Sequence, residues 1–351
     1  MPAYKDPKKN TWVVKYSYKD ELDHKFHGVT KRGFSTKREA LAWEAESRKK
    51  IKGTLGMSFE SFAKLYMEKQ MTRLKPSTYA MKESVIENHL MPYFGKMKVN
   101  EITVQHVMSW QNSLLNQKYT KSFLKTVHNQ LNAILNFAVR YYQLPSNPAQ
   151  IVGNMGTDKE VKINFWTKEQ YLKFKENMME EPLYFYAFEC LYWLGIREGE
   201  LLALTASDFD FEKKVVSITK TFYQLKGQDY ITSPKTHKSV RKVSLPDFLC
   251  DELKDYMELV YEPKEGCNRL FPITKSMLTR ALQRGTQKAG LPKIRVHDLR
   301  HSHCSLLIEM GYSAVAIADR LGHESIHITY RYAHLFPSVQ KNMAKDLNDL
   351  S

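Results

Sequence analysis

The chain has 351 residues and 42% apolar side chains, enough for two or three domains with sizeable cores. Lys and Arg number 53 against 38 Asp and Glu, a formal surplus of +15, so the expected partner is a polyanion, nucleic acid before an anionic membrane surface. Export, membrane insertion and a disulfide scaffold are not expected: MPAYKDPKKNTW lacks an apolar signal region, LYFYAFECLYWLG from Leu183 is short and carries Glu189, and Cys190, Cys250, Cys267 and Cys304 lie far apart, as in a reduced cytoplasm.

Residues 1–56 hold fourteen Lys or Arg against seven Asp or Glu, nearly half of the surplus in a sixth of the chain. TWVVKYSYK (11–19) alternates as a strand does, and KFHGVTKRGF (25–34) reads as a strand with a turn. Thr36 and Glu39 stand at capping-box spacing for a helix running to about Lys52. So local a charge excess on a small sheet and helix favours DNA binding over a merely solvated module. Gly53 to Gly56 reads as a linker.

Residues 57–150 read as helical throughout. SFESFAKLYMEKQM, KPSTYAMKESVIENHLMPYFG, TVQHVMSWQNSLLNQ and TKSFLKTVHNQLNAILNFAVRYY all place apolar residues three and four apart. Pro76 suits a first helical turn, Gly95 a helix end, and Pro145 and Pro148 close the last helix. IVGNMGTDKE (151–160) reads as a second linker. Beyond it helices mix with β segments. Thr167 and Gln170 can cap a helix, while KVVSITK (214–220), QDYITS (228–233) and SVRKVSL (239–245) read as one small antiparallel sheet. VHDLRHSHCSLLIEMG reads as a helix ending at Gly311, and SAVAIADRLG as another starting from Ser313.

Two chemistries compete near the end of the chain. His323-Glu-Ser-Ile-His327 spells H-E-x-x-H, which holds zinc when one helix presents both histidines. Gly322 looks like a helix end just before it, and Ser325 is a poor core anchor, so a zinc site is disfavoured. Phosphoryl transfer on DNA would instead need guanidinium donors for the non-bridging oxygens, a general acid for the leaving oxygen and an in-line nucleophile. Arg197, in LGIREGELLAL, follows a long apolar helix with Glu200 three residues on; alone it reads as a structural ion pair. In HDLRH, His297, Arg300 and His301 share one face of an otherwise apolar helix. Lys235, in SPKTHKSVRKVSL, falls in a turn between two predicted strands, with Lys238 and Lys242 as competitors. Tyr330 and Tyr332 are both candidate nucleophiles, but two helical positions apart they point about 200° from each other, so both cannot face one phosphate.

Taken in order, Arg197 in GIREGELLAL, Lys235 in SPKTHK, His297 and Arg300 in HDLRHS, His323 in RLGH and a tyrosine in TYRYAHL resemble the tyrosine recombinases, or phage integrases, over about 190 C-terminal residues. The resemblance implies a multidomain, mainly α fold with small sheets. It divides the chain into an arm-type DNA-binding domain (1–56), similar to those of conjugative-transposon and prophage integrases, a helical core-binding domain (57–150) and a mixed α/β catalytic domain (160–351). Counting from the L-G-H box, it selects Tyr332 as nucleophile and leaves Tyr330 to packing. Arg197, Arg300 and His323 would stabilise the transition state, Lys235 would protonate the leaving oxygen, and His297 would assist proton transfer. The implied activity is site-specific recombination of double-stranded DNA through a 3′-phosphotyrosyl link, without metal or nucleotide. A homotetramer on DNA is implied, with an excisionase or DNA-bending protein as possible accessories. The same residues leave room for an inactive DNA-binding relative or a type IB-like topoisomerase.

Overall fold

The computed structural model describes residues 3–6, 11–19, 26–53, 56–156, 164–234, 236–262, 266–325 and 347–348. The chain forms two units, 1–160 and 161–351.

The first unit has two hydrophobic cores with no residue in common. The smaller belongs to strands β1 (Ala3–Asp6), β2 (Thr11–Lys19) and β3 (Phe26–Phe34), antiparallel in that order, and helix α1 (Lys37–Gly53). Alternation places Val14 and Tyr16 of β2 inward, where they meet Ala3, Phe34 and Ala40. Pairing shifts between Trp12↔Phe34 and Val13↔Arg32, and the extra residue is Gly33, whose φ of 97° suits a bulge. Thr36 Oγ1 accepts from Glu39 N at 3.1 Å, as capping requires, while the Glu39 carboxylate reaches back to Ser35 N. The helix runs into Gly53, the first residue of the expected linker, and β1 adds a strand that the sequence did not suggest.

The larger core belongs to the four expected helical stretches: α2 (Phe59–Met71); α3 (Pro76–Val85) continuing through a π turn (Ile86–Leu90) into α4 (Met91–Phe94); α5 (Val104–Leu115); and α6 (Lys121–Tyr142). Pro92 has no N–H to return to the preceding turn, and the helix widens into its π turn just before it. Thr103 and Thr120 cap α5 and α6 through their side chains. Gln143, left-handed at φ 58°, ends α6, and Pro148 opens a further short helix, α7 (Pro148–Val152), rather than closing the last one.

The second unit contains α8 (Lys168–Glu176), α9 (Pro182–Leu194), α10 (Glu198–Leu201), β4 (Phe209–Asp210), β5 (Val215–Ile218), β6 (Thr221–Leu225), β7 (Gln228–Thr232), β8 (Arg241–Ser244), α11 (Asp247–Leu259), α12 (Lys275–Lys288), α13 (Val296–Glu309) and α14 (Ala314–Leu321). Helices α9, α11, α12 and α13 share one core with β5 and β8. The single expected sheet is in fact two. Strands β4, β5 and β8 form one, and β6 and β7 form a separate hairpin across Lys226 and Gly227, both at positive φ. β7 and β8 therefore belong to different sheets; Lys235, between them in sequence, lies outside the described residues.

Candidate active site

The long apolar helix α9 stops at Gly195, in the left-handed conformation at φ 62°. A side chain there would run into the His303 ring of α13 and into Leu321 of α14, so three elements converge on this glycine. Two residues later Arg197 caps the short helix α10. Its backbone N donates to Glu200 Oε2 at 2.9 Å and its Nη1 to Glu200 Oε1 at 2.7 Å, so the i, i+3 pair expected from sequence is present. The pair is only part of the arrangement. Arg197 Nη1 also reaches Ser239 Oγ at 3.3 Å, and Nη2 donates to the Gly322 carbonyl at 3.1 Å.

Arg300 arrives from α13 at the same place. Its Nη1 donates to the Gly195 carbonyl at 2.7 Å and its Nη2 to the Leu321 carbonyl at 2.6 Å. The two guanidinium groups thus bind consecutive carbonyls at the end of α14, immediately before His323. Gly322 ends that helix at φ 66°, and His323 N folds back on the Ala318 carbonyl at 2.9 Å. His323 is buried, and desolvation together with the charges of Arg300, Arg197 and Arg241 depresses its pKa to about 3. Burial and the neighbouring His297 take His301 down to about 4. His297 keeps solvent access, yet partial desolvation and Arg300 lower its pKa too, and its ring meets that of His301 edge to face. At neutral pH these imidazoles are uncharged and can donate one hydrogen bond each, while the arginines carry the positive charge.

Glu200 is 2% exposed. Burial alone would raise its pKa, but Arg241 and Arg197 outweigh that and hold it below the ordinary carboxylate value. Arg241 was not singled out from sequence, nor were Ser239, Asp298 and Arg320. Asp298, fully buried, caps α13 and holds Arg295. Arg320 donates to His303 Nε2, Trp193 O and Ser244 O. For Arg241 a signal existed: it shares strand parity with the buried Val243 and Leu245, so a charge was due to point inward.

Of the residues expected from sequence, Arg197, Arg300 and His323 meet at one turn, with His297 and His301 electrostatically coupled to them. Lys235, Tyr330 and Tyr332 lie outside the described residues, as does His327 of the H-E-x-x-H string. His323 itself stands beyond the end of α14, not on a helix, so it lacks the helical presentation that a zinc pair needs. No cluster of three His, Cys, Asp or Glu suited to a metal occurs among the described residues, and none of their helices is long and apolar enough to cross a membrane. Guanidinium donors flanked by neutral imidazoles suit a phosphodiester.

Three family models match in succession: an arm DNA-binding domain over residues 2–51, a phage-integrase N-terminal SAM-like domain over 58–115 and the phage integrase family over 164–338. The ICEBs1 integrase of Bacillus subtilis (strain 168) is 30% identical over 342 residues, covering 90% of this chain and 91% of that protein. The putative prophage phiRv2 integrase of Mycobacterium tuberculosis (strain H37Rv) is 26% identical over 343 residues, covering 92% and 89%. Among solved structures, the fold is similar to the Tn1549 transposon integrase in complex with transposon right end DNA (TM-score 0.67, 22% identity, 82% of this chain and 99% of that one). It is also similar to a lambda integrase tetramer bound to a Holliday junction (TM-score 0.61, 16% identity, 94% of each).

Proposed function

The chain belongs to the phage integrase family and is a site-specific tyrosine recombinase, and from that premise we propose how its residues divide the work on double-stranded DNA. The observation that carries the proposal is the meeting of Arg197, Arg300 and the neutral His323 at the end of α14. In-line attack on a phosphodiester builds negative charge on two non-bridging oxygens. Two guanidinium groups supply paired, charge-assisted hydrogen bonds to them, and an uncharged imidazole adds a donor without repelling the arginines. Tyr332 attacks the phosphorus, and the bond to the 5′ oxygen breaks. Lys235 gives that oxygen its proton, leaving a 3′-phosphotyrosyl link and a 5′ hydroxyl. The hydroxyl of the partner strand then attacks the link, the bond between phosphorus and the Tyr332 oxygen breaks and the phenol regains its proton, so no high-energy cofactor is consumed. A phenol of pKa about 10 must lose its proton to attack, and the cationic site stabilises the anion, with His297 assisting the transfer.

Within this proposal residues 1–56 bind arm-type DNA sites, 57–150 grip the crossover site and 160–351 carry the chemistry. The tetramer described for lambda integrase on a Holliday junction is the assembly proposed here, acting in the cytoplasm, with an excisionase or a DNA-bending protein setting direction. The test is covalent capture in excess EDTA on a nicked duplex whose crossover sequence is first selected from random-sequence DNA, followed by peptide mapping. The expected adduct is on Tyr332. An adduct on Tyr330 would reassign the nucleophile, and tight binding without any adduct would turn the assignment toward a DNA-binding relative without cleavage.

A further inference from the structure

Arg197 needs to be held still. Its side chain is 35% exposed, and it reaches the site from the first turn of a four-residue helix. Three supports hold it, each on a different element: Glu200 of α10, Ser239 of the turn that follows β7, and the Gly322 carbonyl after α14. Arg241, on β8, touches the same three elements. Its Nη2 donates to Glu200 Oε2 at 3.0 Å, its Nη1 to the Ser239 carbonyl at 3.1 Å, and its Nε to the Arg320 carbonyl at 2.8 Å. Unlike Arg197, its side chain is only 7% exposed. A guanidinium so far removed from water contributes little net stability through its ion pair, because desolvation offsets the attraction; what it does supply is geometry fixed in three directions.

The packing around it agrees. A Cβ on Gly322 would stand 2.8 Å from the Lys238 carbonyl and 3.0 Å from Arg241 Cδ, so the chain before His323 closes directly on Arg241. Thr236, the residue after Lys235, bonds through its hydroxyl to Ser239 Oγ at 3.0 Å. Thr236, the turn that precedes His323 and the support of Arg197 therefore share one anchor.

We propose that Arg241 is a positioning residue for the cleavage step: it sets Arg197 and His323 in mutual register without itself touching the phosphate. The proposal rests on the recombinase reading above. A lysine there keeps the charge but cannot span three acceptors in three directions. Misplacement of reacting groups by about 1 Å can cost on the order of 100-fold in rate.

The experiment compares the full-length chain with Arg241→Lys and Arg241→Gln on the nicked crossover duplex. It measures the single-turnover rate of adduct formation at saturating DNA, the Kd for the same duplex, and the melting temperature, with all rates taken well below melting. The expected result is a 10- to 100-fold slower cleavage rate in both variants with Kd within about twofold of the parent. Cleavage at the parental rate, or a loss that merely follows a weakened Kd, would overturn the proposal while leaving the recombinase reading intact. Absence of a Tyr332 adduct in the parent would instead sink that reading and this proposal with it. Should neither variant fold, Arg241→Met takes their place, since it fills much of the same space without a charge or donors; the same slower cleavage at unchanged Kd is expected, and an unchanged rate overturns the proposal.

Discussion

A buried imidazole that stays neutral makes a statement about acid stability. His301 titrates at about 4 and His303 and His323 at about 3, each depressed first by burial. His297 sits below its ordinary value as well. The unfolded chain takes up these protons near pH 6.5, so between there and about pH 4 it binds more protons than the folded chain. Stability is therefore complete above pH 6.5 and falls as the pH drops through that window. Glu189, buried and raised to about 7, and Glu198, raised by burial, work in the opposite sense, but they are two groups against several histidines. Melting temperatures measured from pH 7.5 to 4.5 should decline, and His301→Asn should flatten the slope; a flat parental profile would contradict the assignment. At this scale Tyr332→Phe should abolish adduct formation and leave the Kd for crossover DNA nearly unchanged, which gel-shift and capture assays read separately. The arginines and His323 were legible because each sits in a short string of distinctive residues. Arg241 was not, because SVRKVSL reads as an ordinary basic surface strand until its parity with Val243 is weighed.

The helices of residues 57–150 were readable because three- and four-residue apolar spacing runs through each for several turns, as in α6, whose buried face includes Leu124, Val127, Leu131, Ile134 and Leu135. The β elements of the second unit were harder. Residues 214–225 form one β-prone run, and only pairing divides it into β5, which joins β8 far along the chain, and β6, which turns back on the adjacent β7. Strand β1, four residues with only Ala3 buried, offers no alternation to detect. The end of α14 carries the most specific expectation. Gly322 has φ 66° and no room for a Cβ, so Gly322→Ala should destabilise the chain by more than ~1 kcal/mol and slow cleavage more than Gly290→Ala, a control with positive φ but open space around it. Equal melting losses and equal rates for the two would show that crowding at Gly322 is irrelevant.

For the molecule as a whole, charge and cores tell a common story. Nearly half of the positive surplus belongs to residues 1–56, whose hydrophobic cluster has, among the described residues, five buried members, Ala3, Val14, Tyr16, Phe34 and Ala40. Deleting 1–56 should weaken binding to arm-type DNA and reduce the salt dependence of overall affinity, while cleavage of the crossover duplex persists. Equal losses at both kinds of site, measured by titration across salt concentrations, would contradict that division.

The three principal cores have no residue in common. A substitution that repacks one leaves the interiors of the others untouched, so, on the proposed division of labour, the part that reads an address on DNA can drift, or be exchanged with a relative's, without the breaking-and-joining apparatus having to be rebuilt. Heredity can thus retarget such a protein piecewise, and an engineer can follow the same seams.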